Sequence, residues 1–215
     1  MPESNKGLFI SFEGTEGAGK STQVRLLAER FEREGREVLC TREPGGTDIG
    51  DQISNMVKYY KGEEGISDVA ELLLFAASRA QLVEKKLKPF LAKGGVVICD
   101  RYSDSTVAYQ GYGRELNRST IDSLVSLATA GLMPDLTILM DLTIAEGMKR
   151  VGKRGEAAEG EDRIELAGLS FHERVRSGFL AVAQDNPERV KIVAANDSIE
   201  NIHQEISKYV DLTRV

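Results

Sequence analysis

Histidine and cysteine are scarce in this chain of 215 residues, with two of each. His172 and His203 fall in helix-like stretches, Cys40 and Cys99 in apolar, strand-like runs. No cluster of the two types has metal-ligand spacing, which argues against a structural zinc site. The two cysteines are expected as buried free thiols rather than a disulfide. Basic excess is missing too: 28 Lys and Arg stand against 34 Asp and Glu, a formal net charge of -6. That disfavours non-specific binding of nucleic acid, which needs a basic surface. No apolar run reaches the roughly 20 residues of a membrane-spanning helix. The opening residues, Met1 to Gly7, carry no signal-peptide apolar core, so the cytoplasm is the expected location. Guanine-switch signatures are absent, with no Asp-x-x-Gly and no Asn/Thr-Lys-x-Asp. Internal repeats and low-complexity tracts are also lacking.

What is present is ordinary in bulk and specific in detail. A hydrophobic share of 41% and a charged share of 29% suit a globular chain. The length predicts one domain over 1–215, with room for a small mobile insert. The specific part begins with an apolar run, Leu8 to Phe12, that ends in Gly14-x-x-x-x-Gly19-Lys20-Ser21. This is the P-loop pattern between a buried strand and an amphipathic helix. Glycines at 14, 17 and 19 let successive N–H groups turn inward and approach a phosphate. The following helix N-terminus adds unpaired donors. Lys20 can reach the β- and γ-phosphates, and the Ser21 hydroxyl can ligate Mg²⁺. Gly14, Thr15, Glu16, Gly17, Ala18, Gly19, Lys20, Ser21 and Thr22 are therefore the expected binding residues for a nucleoside triphosphate.

Strand and helix patterns alternate along the rest of the chain, which predicts a parallel sheet with helices on both faces. Strands are expected at 8–13, 37–41, 96–99, 136–142 and 190–194. Helices are expected from Gly19 to about Glu34, from Asp48, over 68–92, 119–130, 143–151, 166–184 and 198–210. The 68–92 helix has Val69, Leu72, Leu73, Phe75, Ala76, Ala80 and Val83 as apolar positions. Ser103 to Arg118, rich in Ser, Tyr, Gly and Gln, reads as an irregular functional stretch. Gly152 to Arg163 mixes charges and glycines with no apolar face and reads as an exposed mobile loop.

Ligands of open α/β sheets bind beyond the carboxyl ends of the strands. That edge receives the P-loop, Arg42-Glu43 and Asp100-Arg101, with the basic 150–154 segment close by. Asp100 closes an apolar strand, where it can hold Mg²⁺ or serve as a cap or salt-bridge partner. Arg42 and Arg101 offer planar donor forks for phosphate. Phe75 and Arg79 are four apart on one helix face, a ring beside a guanidinium. That pairing suits a nucleobase, although a Phe at helical spacing is usually core.

With these residues in hand the chain resembles the thymidylate kinases of bacterial type. The resemblance rests on GTEGAGKST, TREPGGT (41–47), LLFAASRAQL (73–82), CDRYSDSTVAYQGYGR (99–114), PDLTILMDL (134–142) and the lid-like KRVGKRGEAAEGEDRIE (149–165), and it covers about residues 8–210. It implies a three-layer P-loop NTPase fold with a five-stranded parallel sheet and a mobile lid at about 149–163. It implies transfer of the γ-phosphoryl group of MgATP to dTMP, giving dTDP and ADP on the way to dTTP, with Mg²⁺ as the metal and a homodimer built from helices of the core. The acceptor site carried over comprises Glu16, Arg42, Glu43, Pro44, Phe75, Arg79, Arg101, Ser105, Tyr109 and Gln110. Phe75 stacks on thymine in this reading, Arg79 bonds its carbonyl edge, and the Tyr109 ring disfavours a 2′-hydroxyl. The catalytic groups implied are Lys20, Arg101, Arg150 and Arg154, with Ser21 and Asp100 at the metal. The P-loop carries no Arg, and the basic groups Arg150, Lys153 and Arg154 sit in the lid, as in the bacterial arrangement.

A phosphate monoester with its second pKa near ~6 is largely dianionic at neutral pH. The acceptor then needs no strong base, only positioning and charge stabilisation. Two other readings share parts of this pattern. A kinase for another acceptor keeps the P-loop and lid and differs around Phe75, Arg79 and Gln110. A P-loop switch protein lacks support from any guanine-reading motif, and a nucleic-acid-dependent ATPase conflicts with the acidic balance.

Overall fold

The structure is a computed structural model that describes residues 7–152 and 162–213. Lys153 and Arg154 lie outside the described residues. Five strands form one sheet: β1 (Leu8–Glu13), β2 (Val38–Arg42), β3 (Val96–Asp100), β4 (Leu136–Asp141) and β5 (Val190–Ala194). Their order is β2-β3-β1-β4-β5 and every pairing is parallel. β1 is buried along its length because it is the central strand, as the uninterrupted apolar run demanded.

Nine α-helical segments are described. They are α1 (Lys20–Arg33), α2 (Asp48–Tyr59), α3 (Asp68–Leu82), α4 (Lys88–Leu91), α5 (Ser103–Thr106), α6 (Arg118–Thr129), α7 (Ile144–Gly152), α8 (Leu169–Asp185) and α9 (Ile199–Thr213). Strand side chains alternate between two layers. Leu8, Ile10 and Phe12 pack with Val24, Leu27 and Phe31 of α1 and with Ile202, Ile206 and Val210 of α9. Phe9, from the opposite face, packs with Leu82, Val83, Leu87 and Tyr102. Farther along that face, Leu139 and Val190 meet Phe171, Val175 and Phe179 of α8. The expected three-layer architecture is therefore present.

Several local expectations are corrected. The 68–92 helix is continuous, but its turn at Val83–Leu87 is π-helical and leads into α4. The wider turn brings Leu82, Val83 and Leu87 all into the core. Of the apolar positions of this helix, Val69 and Leu73 are exposed, at 56% and 50%. Cys99 is buried as expected, whereas Cys40 is exposed, because β2 is an edge strand.

The stretch after β3 is helical rather than irregular: α5 runs into a π-helical segment, Val107–Gly113. Its Gly113 and the facing Gly178 of α8 serve close packing. A Cβ on Gly113 would fall 2.7 Å from Phe171, and one on Gly178 of α8 would fall 2.8 Å from Tyr112. The end of the predicted exposed loop is also anchored. Arg163 donates its backbone N–H to Lys58 O at 3.0 Å and its Nε to Val57 O at 3.2 Å.

Candidate active site

Parallel register brings the carboxyl ends of the strands to one edge, with Phe12 beside Asp100 and Arg42 beside Asp100 from the other side. The P-loop leaves β1 at this edge with Gly14, Gly17 and Gly19 at φ of 130°, 76° and 89°. Those values need glycine. Gly17 also lies against α7, since a Cβ there would sit 2.5 Å from Gly147 O. Lys20 donates to Gly14 O and Thr15 O, both at 3.0 Å, so its ammonium is held over the loop. Ser21 Oγ donates to Asp100 Oδ2 at 3.0 Å. These two hard oxygen donors, beside the phosphate-binding loop, fit a Mg²⁺ ion.

A cleft of about 270 Å³ opens from this edge. Among the residues expected at the site, it is lined by Glu16, Gly17, Gly19, Lys20, Ser21, Arg42, Glu43, Pro44, Phe75, Arg79, Asp100, Arg101, Ser105, Tyr109 and Gln110. Residues from four chain segments thus meet as one surface. Thr15 lines a smaller pocket with Ile144, Met148 and His172. Ala18 is buried under the loop, and Thr22 is half-buried in α1. Arg150 does not line the cleft: its Nη1 donates to Ala195 O at 2.9 Å and to Gly17 O at 3.4 Å. It ties the P-loop to the turn after β5. Arg154 is outside the described residues.

Arg101 lines the cleft with φ of 71°. A non-glycine residue holds that conformation only when its surroundings over-determine it. Here the Arg101 N–H donates to Phe12 O at 2.8 Å, and the next N–H, of Tyr102, donates to Glu13 Oε1 at 2.8 Å. The guanidinium then donates to Gly14 O at 2.9 Å and Ser105 Oγ at 3.3 Å, pairs with Glu16, and lies 5.1 Å over the Tyr109 ring. Burial lowers its proton affinity, but Tyr109, Glu16, Asp100 and Glu13 outweigh that and raise it, so it stays charged. The Glu16 carboxyl is opposed by burial, yet Arg101 and Lys20 pull it down to about 2. The Tyr109 hydroxyl is buried without a partner among the described residues. Such an orphan costs stability unless a ligand atom satisfies it.

Arg79 forms the far wall. Its Nε donates to Glu43 Oε2 at 2.8 Å and its Nη2 to the same oxygen at 2.5 Å. Nη1 donates to Thr106 Oγ1 at 2.8 Å, and Nη2 also reaches Tyr102 O at 3.1 Å. A guanidinium has five N–H donors. These contacts leave one, on Nη1, without a partner among the described residues. Burial pushes the Glu43 carboxyl up while Arg79 pulls against it.

Some functional groups were not foreseen. Glu13 is fully buried and accepts from Tyr102 N, Ser105 N and Ser105 Oγ, fixing the turn that carries Arg101. Burial and Asp104 push its carboxyl up to about 8. Its signal was a carboxylate at the end of an apolar strand. Glu71 is fully buried and bonded to Gln110. Its signal was the spacing Glu71, Phe75, Arg79, one helical face. Lys58 also lines the cleft and carried no signal, and Thr106, Asp162, Ile164 and Glu165 line it from stretches that carried the resemblance without being singled out.

A P-loop facing an arginine-rich acceptor pocket is the arrangement of a nucleotide kinase. The family model for thymidylate kinase matches residues 12–206. The chain belongs to the thymidylate kinase family. It is 45% identical over 206 residues to a thymidylate kinase of Geotalea uraniireducens, covering 95% of this chain and 96% of that protein. It is 42% identical over 212 residues to one of Roseiflexus sp., covering 95% and 93%. The crystal structure of thymidylate kinase from Ehrlichia chaffeensis superposes with a TM-score of 0.76 at 34% identity, covering 95% of this chain and 98% of that one. The family consists of nucleoside monophosphate kinases that phosphorylate dTMP to dTDP with ATP, a step of dTTP synthesis.

Proposed function

We propose that the cleft between Lys20, Arg101 and Arg79 binds MgATP and dTMP together and transfers the γ-phosphoryl group to the dTMP phosphate. The observation that carries this reading is the polarity of the far wall. Arg79 offers a spare N–H on Nη1, and the Gln110 amide oxygen has no partner among the described residues. Together they complement the C4 carbonyl and the N3–H of thymine. Phe75 lines the same wall, where its ring stacks on the base. At the other end Arg42 is exposed and makes no ion pair among the described residues, so it is available to the acceptor phosphate beside Arg101. The buried Tyr109 hydroxyl finds its partner on the sugar or phosphate.

Each residue then has a task. Arg101 and Arg42 hold the acceptor dianion in line with the donor. Lys20 and the P-loop N–H groups stabilise charge on the transferring group. Ser21 and Asp100 would hold Mg²⁺, which would neutralise charge on the ATP phosphates. We assign the remaining basic role to the lid arginine Arg154, with Arg150 holding the P-loop. The chain acts as one kinase domain. Exposed Val69 and Leu73 on one side of α3, with Leu127 on the neighbouring α6, support a homodimer through these helices. The substrates are small soluble metabolites, which supports a cytoplasmic location.

The test is ADP formation with MgATP and a panel of acceptors. Strong turnover is expected with dTMP, weaker turnover with dUMP, and almost none with the ribonucleotide TMP, with AMP or with thymidine. Equal turnover of AMP and dTMP overturns the assignment of the far wall.

A further inference from the structure

Glu71, Phe75 and Arg79 stand four apart on one face of α3. Phe75 and Arg79 line the cleft, whereas Glu71 lies a turn behind it and is fully buried. Its Oε1 accepts from Gln110 Nε2 at 2.9 Å and from Arg114 Nε at 3.3 Å. Its Oε2 accepts from Arg114 Nη2 at 3.0 Å and from the Arg163 guanidinium. Burial pushes this carboxyl up, but the hydrogen bonds from Arg114, Gln110 and Arg163 outweigh it and hold the group below its ordinary range.

An ionised carboxylate only accepts hydrogen bonds. A primary amide can turn its two ends over at little cost in shape, so its neighbours decide which end faces a ligand. Against Glu71 the choice is forced. The amide nitrogen of Gln110 must face the carboxylate, because the reverse places two acceptor oxygens together in a buried site. The amide oxygen is then presented to the cleft.

We propose that Glu71 is a specificity-positioning residue, which by fixing the Gln110 amide makes the base pocket accept an N3–H edge and reject a cytosine edge. Cytosine sets a lone pair at N3 against the Gln110 oxygen and an amino group against the Arg79 N–H. Thymine and uracil present a donor and an acceptor at the same two places. This inference rests on the dTMP reading of the cleft and extends it to a residue that touches no substrate.

The test is the ratio of kcat/KM for dCMP to that for dTMP. Glu71→Gln keeps the size of the side chain but both donates and accepts, so the Gln110 amide is free to turn. The ratio is expected to rise about 30-fold, the order of one buried polar mismatch. Glu71→Asp retains a carboxylate and is expected to keep the wild-type ratio even where turnover falls. Arg114→Gln removes one of the two cations that hold Glu71 ionised and is expected to shift the ratio the same way by less. That variant carries the test if Glu71→Gln fails to fold, as read by its melting curve. Parallel loss of both substrates in Glu71→Gln and Arg114→Gln, with the ratio unchanged, overturns the inference and leaves the dTMP reading intact. A wild-type protein without preference for dTMP over dCMP overturns both.

Discussion

Arg101→Ala is expected to lower kcat/KM for dTMP by about 10³-fold, the order seen when a preorganised charged donor is removed from a transition state. ATP affinity is expected to stay within about threefold, because the P-loop amides and Lys20 remain in place. The reason lies in how Arg101 is built. Its φ of 71° is fixed by Phe12 O and, through Tyr102, by the buried Glu13 carboxyl. The guanidinium is thereby held at Gly14 O on the wall of the cleft. Arg101→Lys keeps the charge but loses the planar fork and is expected to fall between the two. Steady-state kinetics with dTMP, together with titration of an unhydrolysed ATP analogue, separate the effects. Loss of ATP binding in step with transfer would mean that Arg101 supports the P-loop instead of the acceptor.

Removing Arg79 has a different kind of consequence. Its side chain and that of Glu43 are only 3% and 5% exposed and lie 2.5 Å apart at closest approach. Arg79→Ala leaves Glu43 buried without its cation, which costs about 3–5 kcal/mol in stability. For a chain of this size that corresponds to a drop in Tm of roughly 10 °C. Dimension by dimension, the stability and recognition roles can be parted. Replacing both partners, as Arg79→Met with Glu43→Gln, removes the stranded charge and is expected to recover most of the Tm. Base recognition is not recovered, so KM for dTMP stays raised. Thermal melting beside dTMP kinetics reads both. A double variant that regained dTMP affinity would show that Arg79 is only structural.

How much of this was legible in the chain follows the range of each interaction. The P-loop is written within a few residues, from Gly14 to Ser21, and its conformation depends on local backbone freedom. The strand alternation was legible because burial on both faces leaves continuous apolar runs. Arg42, Arg101 and Arg79 were found as individual residues; parallel register brought Arg42 beside the end of β3, and α3 carries Arg79 to the same cleft. Glu13 and Glu71 were not found, because their partners lie 89 and 92 residues away, at Tyr102 and Arg163. Cys40 was misplaced because nothing in Val38–Arg42 says that the strand lies at an edge. Ser103 to Arg118 looked irregular because its glycines resemble loop glycines. Gly111 and Gly113 are helical, and Gly113 makes room for Phe171 and Val175 of α8.

The central claim is that one cleft presents dTMP, base to Arg79 and Gln110 and phosphate to Arg101 and Arg42, in front of the P-loop. A crystal structure of the protein with dTMP and a non-hydrolysable ATP analogue tests it most directly. The account predicts the thymine C4 carbonyl on Arg79 Nη1, N3 on the Gln110 amide oxygen, and the monophosphate within hydrogen-bond distance of Arg101. A dTMP phosphate seated away from Arg101, or a base outside the Phe75 wall, would contradict it.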